Sequence, residues 1–92
     1  MEKIAALCST YKELKGSDYA IIKVGLDPRP ITVRKKDVIT YDHGSHIIGV
    51  EEMPSHPGEG TMIGAIFDVQ KKGRAFRAIP IDSLVKNYKE VI

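Results

Sequence analysis

Two clusters of basic residues in this chain have a composition suited to binding phosphate groups. The first is Lys71-Lys72-Gly73-Arg74, which is typical of a hairpin turn, with Arg77 further along the returning strand. Lysine supplies a mobile positive charge, whereas an arginine guanidinium binds two phosphate oxygens at once. The competing interpretation is that the lysines protect a hairpin tip from aggregation. Phe76 lies between the two arginines, so a regular pleat predicts a core residue rather than a base-stacking platform.

The second cluster, Arg34-Lys35-Lys36, also falls at a predicted turn, and Arg29 is held between Pro28 and Pro30. If the two turns converge at one end of a small barrel, they form one cationic surface of the kind that binds nucleotides or oligonucleotides. The predicted anion-binding residues are Arg29, Arg34, Lys36, Lys71, Lys72, Arg74 and Arg77.

The segment between the two basic clusters has the opposite charge. From Asp37 to Gln70 there is no Lys or Arg, and the segment contains six acidic residues and all three histidines. Its long break at 53–60 combines acidic and apolar side chains, which favours docking on a basic protein surface. The residues predicted for this alternative are Asp42, His46, Glu51, Glu52, Met53, His56 and Glu59.

The histidines do not form a convincing metal site. His43 and His46 have H-x-x-H spacing, but zinc needs three or four converging ligands, and this segment is predicted as a turn that enters a strand. Cys8 belongs to an apolar face, so we expect a small buried hydrophobic residue there. The sequence therefore predicts no metal and no cofactor.

Catalytic motifs are also missing from the sequence. It contains no G-x-S-x-G, H-E-x-x-H or Walker-type phosphate loop, and Gly58-Glu59-Gly60 has no following lysine. We therefore predict a protein that is not an enzyme.

Length and composition indicate one ordinary globular domain spanning residues 1–92. There is no tryptophan, so the core is expected to consist of Ile, Val and Leu with two Phe and four Tyr. The single cysteine fits a reducing compartment, and no run approaches about 18 apolar residues or forms a signal-peptide core. These features predict a cytoplasmic protein.

The first element is predicted to be an amphipathic helix over residues 2–15. Apolar residues recur there at helical spacing, followed by Gly16 as a helix-ending residue: Ile4, Leu7, Cys8, Tyr11 and Leu14. Self-association stays open, since residues 19–24 read as an edge strand able to pair across a dimer axis.

After Asp18 the pattern is that of short strands. We predict strands at 19–24, 31–34, 38–41, 46–52, 61–70 and 74–81, with 31–34 and 38–41 alternatively forming one bulged strand. Residues 42–45 and 71–73 are predicted hairpin turns, with Gly73 supplying a positive φ. The segment 83–92 fits either a helix capped by Asp82 or Ser83, or a single 3₁₀ turn followed by a strand at 88–92.

These elements predict an α+β fold, in which the N-terminal helix packs on a small, strongly curved antiparallel sheet or SH3-like barrel of five to six strands. In layout, the hairpin followed by Ala78-Ile79-Pro80-Ile81-Asp82-Ser83-Leu84-Val85 resembles small SH3-like barrels. Many unrelated functions use that layout.

Together the residues predict a stand-alone binding protein for a nucleotide, an oligonucleotide or a nucleic-acid backbone, with no membrane contact. The alternative is a small protein–protein inhibitor or adaptor, of a kind found in viruses and mobile elements, that docks its acidic 42–59 region on a larger enzyme. Two pairs of substitutions distinguish these hypotheses. Charge reversal at Arg74 and Arg77 should abolish activity under the first and spare it under the second, and charge reversal at Glu51 and Glu52 should do the opposite.

Overall fold

The computed structural model describes residues 4–53 and 61–85, and these consist of short strands joined by tight turns. In chain order the strands are β1 Ile4–Glu13, β2 Tyr19–Val24, β3 Ile31–Arg34, β4 Val38–Tyr41, β5 Ser45–Met53, β6 Thr61–Asp68, β7 Gly73–Pro80 and β8 Leu84–Val85. Single 3₁₀ turns occupy Lys35–Asp37 and Ile81–Ser83. Among the described residues, no helix has the length and apolar character needed to cross a membrane.

The strands form one antiparallel sheet that curls on itself. Their order is β3-β2-β1-β5-β6-β7, with β4 beside β5 and β8 beside β1. The backbone N–H of Val69, just after β6, donates to the carbonyl oxygen of Thr32 in β3 at 2.9 Å. This bond joins opposite sides of the curl, and the result is a half-barrel.

The predicted N-terminal helix, and with it the α+β class, is wrong. Residues 4–13 form β1, which pairs with β5 along Ile4–Leu7 and with β2 from Cys8 onward. Because β1 is central, its first half packs on both faces, and Ala5 and Ala6 are fully buried. A short strand buried on both faces has the continuous apolar pattern of a buried helix, so spacing alone cannot separate the two.

A bulge in β1 allows this strand to change partners. The register of the β1–β2 pairing shifts between Cys8 and Thr10, where one strand carries an extra residue. Such a bulge increases the local twist and bends the strand. β1 can therefore leave β5 and continue alongside β2, which gives the sheet its curl.

The core is aliphatic and lies inside the curl. Its main cluster is Ala6, Ile22, Val24, Ile31, Val33, Ile48, Ile66 and Ile79. Burying each of the larger side chains stabilises the fold by roughly 1.5–3 kcal/mol. The expectation that phenylalanine contributes to the core is wrong, because Phe67 and Phe76 are 51% and 53% exposed.

Most of the predicted strands are present near their predicted positions. β2, β3 and β4 have the predicted bounds, and the 3₁₀ turn Lys35–Asp37 separates β3 from β4, so they are two strands rather than one bulged strand. The hairpin turn after Tyr41 is confirmed, with Asp42 and His43 at positive φ.

In the part that is described, the C-terminal segment contains the 3₁₀ turn of the second prediction and not the helix of the first. Ile81–Ser83 form a 3₁₀ turn, and Leu84–Val85 pair at once with Ala5 and Ala6 of β1. A helix that starts at Ser83 is therefore wrong, whereas the strand predicted at 88–92 stays a prediction. Residues 86–92 lie outside the described residues.

Candidate functional site

The β6–β7 turn, residues 69–72, is held by a buried carboxylate. Asp68 is 3% exposed, and its Oδ1 accepts hydrogen bonds from the backbone N–H groups of Gln70 at 3.0 Å and Lys71 at 3.3 Å. The positive φ predicted for Gly73 occurs instead at Lys72, whose φ is +54°. Asp68 thus fixes the backbone of the turn, while the side chains of both lysines are exposed.

The two predicted basic turns are close to each other. Val69 is hydrogen-bonded to Thr32; Lys71 lies two residues beyond Val69, and Arg34 lies two residues beyond Thr32. Chain geometry then keeps the Cα atoms of Lys71 and Arg34 within about 20 Å of each other. A shallow depression lined by Asp18 and Arg34–Lys35–Lys36 adjoins this region.

Arg77 and Phe76 occupy the opposite faces from those predicted. In β7 the inward positions are Ala75, Arg77 and Ile79, and Arg77 is only 2% exposed. Phe76 points outward with Arg74, because alternate residues of a strand share a face. Both faces of β7 carry apolar residues, so the hydrophobic pattern alone cannot predict which face is buried.

Arg77 is paired inside the fold. Its Nη1 lies 3.3 Å from Oδ2 of Asp27, whose side chain is 9% exposed, and its Nε has no hydrogen-bond partner among the described residues. The predicted anion ligand Arg77 therefore compensates a buried carboxylate and is not accessible to a dissolved ligand.

Asp27 also holds Arg29, another predicted anion ligand. Its carboxylate accepts hydrogen bonds from the Arg29 Nη2 at 2.7 Å, the Nε at 3.0 Å and the backbone N–H at 2.9 Å. The Arg29 hydrogen bonds, helped by the charge of Arg77, lower the pKa of Asp27 to about 2 against the cost of burial. Arg29 therefore folds back on its own loop.

A glycine allows that loop to approach the rest of the fold. Gly25 begins it with φ +55°, and a Cβ built there would lie 3.1 Å from Ser83 Oγ and 3.2 Å from Pro80 Cδ. The Asp27 backbone N–H then donates to the Val24 carbonyl oxygen at 3.1 Å. The tight turn brings the Asp27 carboxylate to β7.

The outer face of the β6–β7 hairpin carries an aromatic and basic surface. Phe67 is opposite Arg74, and Phe76 is opposite Ala65, so the two phenylalanines are diagonal neighbours on one face. The Arg74 Nη1 forms an ion pair with Oε1 of Glu51 on β5, and both side chains are more than half exposed. Sequence reasoning missed this surface, although an aromatic residue on each side of a Lys-Lys-Gly turn was a visible signal.

The described residues of the acidic alternative lie in the β4–β5 turn and along β5. Asp42 and His43 form an exposed pair, with His43 Nε2 3.2 Å from Asp42 Oδ1, whereas the ring of His46 stacks on Tyr11 with centroids 3.9 Å apart. Glu51 is paired with Arg74. Of the remaining members, Glu52 and Met53 belong to β5, and His56 and Glu59 lie outside the described residues.

Two further sequence expectations concern Cys8 and the edge strand. Burial raises the pKa of the Cys8 thiol to about 12, which is consistent with a packed residue rather than a reactive one. β2 pairs with both β1 and β3, so the prediction that it is an edge strand is wrong.

In residues 4–53 and 61–85, no three His, Cys, Asp or Glu side chains converge as metal ligands.

Comparison with known proteins finds no relative of this chain. No protein-family model, curated protein or solved structure matches this chain. Its candidate functional residues therefore rest on its own geometry and charge.

Proposed function

We propose that this protein is a non-enzymatic binding protein for the phosphate backbone of nucleic acid. The binding surface, here named the basic surface, consists of Arg34, Lys36, Lys71, Lys72 and Arg74. The supporting observation is the hydrogen bond from the Val69 N–H to the Thr32 carbonyl oxygen, since it brings the two basic turns together. Arg29 and Arg77 are left out because both guanidinium groups pair with the Asp27 carboxylate, and Arg77 is also buried.

The basic surface binds through charge and needs no chemical step. Its lysines are exposed, and the flexible stem of a lysine side chain lets the ammonium group follow a chain of phosphates. Each such contact releases counterions from the nucleic acid. Asp18 lines the depression beside Arg34 and weakens the positive potential there. The β6–β7 turn is therefore expected to contribute more affinity than the Arg34 turn.

The test is fluorescence anisotropy with a labelled oligonucleotide, at salt concentrations from about 50 to about 300 mM. The variant Lys71→Gln/Lys72→Gln is compared with Lys12→Gln/Lys23→Gln, which removes the same charge from β1 and β2. We expect a steep loss of affinity with salt, a loss of about tenfold for the first variant and a smaller change for the control.

Two results would contradict the proposal. One is an affinity that does not change with salt, and the other is an equal effect of the two double variants. Either result would favour the acidic-segment alternative and a search for a protein partner.

A further inference from the structure

We propose, resting on the function above, that the ligand is single-stranded nucleic acid whose unpaired bases stack on Phe67 and Phe76. The four large apolar side chains that are exposed among the described residues are Leu26, Phe67, Phe76 and Ile81. The two aromatic ones lie together on the outer face of the β6–β7 hairpin. Exposed aromatic rings in a positively charged setting are the elements with which proteins bind single strands.

The spacing of the two rings distinguishes single strands from duplexes. Phe67 and Phe76 are diagonal cross-strand neighbours, and residues in that relation are about 7–8 Å apart, with a slightly shorter distance between their Cβ atoms. Successive bases in a stacked strand are only about 3.4 Å apart. Two bases that lie on both rings must therefore unstack from each other, as a flexible single strand allows and a duplex does not.

The charges around the rings are placed to hold the backbone of such a strand. Arg74 is opposite Phe67 on the neighbouring strand, and Lys71 and Lys72 follow at the turn. A base on Phe67 would bring its flanking phosphates toward these three cations. Glu51 competes for the Arg74 guanidinium, but both side chains are exposed, so this pair is weak and a phosphate can replace the carboxylate.

The first experiment compares a labelled oligo-dT with a duplex of the same length at one salt concentration. The variants are Phe67→Ala/Phe76→Ala and, as a matched loss of exposed apolar surface elsewhere, Leu26→Ala/Ile81→Ala. We expect the wild type to prefer the single strand. The phenylalanine variant should lose at least about tenfold in affinity for it while its duplex affinity stays unchanged, and the control should lose little.

A second experiment needs no truncated side chain. The chain has no tryptophan, so Phe76→Trp introduces one fluorophore into the surface, and Ile81→Trp provides a control outside it. Stacking of a base on the introduced indole quenches its fluorescence, so oligo-dT should quench the Phe76→Trp protein and leave the Ile81→Trp protein unchanged.

The outcomes separate this inference from the proposed function. Equal affinity for single strand and duplex, with no effect of the phenylalanine variant and no quenching, would overturn base stacking and leave backbone binding in place. If neither oligo-dT nor the duplex binds the wild type, both proposals fail. Single-strand preference with quenching of the Phe76→Trp protein supports both.

Discussion

Arg74 and Arg77 lie three positions apart on β7, yet their side chains have opposite environments. Arg77 points inward, is 2% exposed and compensates the carboxylate of Asp27. Arg74 points outward and shares an exposed ion pair with Glu51. An arginine is therefore an internal counterion on one face of β7 and an exposed surface charge on the other, and the alternation of side chains along the strand decides which.

The two ion pairs also differ in the free-energy cost of breaking them. A buried charge cannot lose its partner without a large penalty, whereas an exposed charge is compensated by water and salt. The Asp27–Arg77 pair thus fixes the loop 25–30 against β7, while the exposed Glu51–Arg74 pair can open at little cost.

The largest expected effect comes from breaking the buried pair. Asp27→Asn keeps an oxygen for the Arg29 backbone N–H but removes the charge opposite Arg77. The uncompensated guanidinium should lower the free energy of unfolding, measured in urea, by about 3 kcal/mol. The double variant Asp27→Asn/Arg77→Met should recover most of this loss, and a double variant no more stable than Asp27→Asn would count against a buried counterion.

The second prediction concerns how stability depends on pH through the same pair. Arg29 and Arg77 keep the pKa of Asp27 at about 2, compared with an ordinary value of 3.8. A carboxylate with a lowered pKa stabilises the fold above its unfolded pKa, and this stability is lost as the pH falls toward the folded pKa. Between about pH 5 and about pH 2 we expect a loss of about 1–2 kcal/mol from this group, allowing for the solvent around Arg29.

Asp27→Asn serves as the control for that titration. The other carboxylates contribute to acid unfolding in both proteins, so the difference between the two pH profiles isolates Asp27. Parallel profiles would show that Asp27 titrates normally in the folded chain.

A third prediction concerns the turn that carries the exposed charges. Asp68→Ala removes the acceptor of the Gln70 and Lys71 N–H groups and should cost about 1–3 kcal/mol in unfolding free energy. Asp68→Asn keeps one carbonyl oxygen in place and should cost less. Equal losses for the two variants would indicate that the charge of Asp68, rather than its hydrogen bonds, stabilises the turn.

The smallest expected effect on stability is at the exposed pair. Glu51→Gln frees Arg74 and should change the unfolding free energy by less than about 1 kcal/mol. If the proposed function is right, the same variant binds oligo-dT about twofold more tightly, because the competing carboxylate is gone. Weaker binding after this change would place Glu51 among the ligand contacts instead.

The strands with clear alternation could be predicted from the sequence, whereas β1 could not. β2 alternates between buried and half-buried positions and is bounded by turn residues, so its pattern has one interpretation. β1 begins with Ile-Ala-Ala-Leu-Cys, which suits both a helix and a strand buried on two faces. The choice depends on partners from β2, β5 and β8, which local spacing does not contain.

The charges of the candidate site could be predicted from the sequence, but the strand face on which each side chain lies could not. A turn that carries Lys71 and Lys72 follows from local sequence, although it lies at 69–72 rather than at the predicted 71–73, and the turn at Lys35–Asp37 follows as well. The sides taken by Phe76 and Arg77 depend instead on Asp27, which is distant in sequence and supplies the charge that lets an arginine enter the interior. The sequence pattern predicts a buried Phe76, because no residue near Arg77 in the sequence supplies the charge that an inward arginine needs.

The pairing of β1 has a consequence for how the chain is made. The β1–β2 hairpin can close once residues up to Val24 have left the ribosome, but the bonds from Ala5 and Ala6 to Leu84 and Val85 join distant parts of the chain. Closing so long a loop costs more entropy and slows folding. During synthesis this stretch of β1 keeps an open edge until β8 emerges, and an open edge can mispair with other nascent chains.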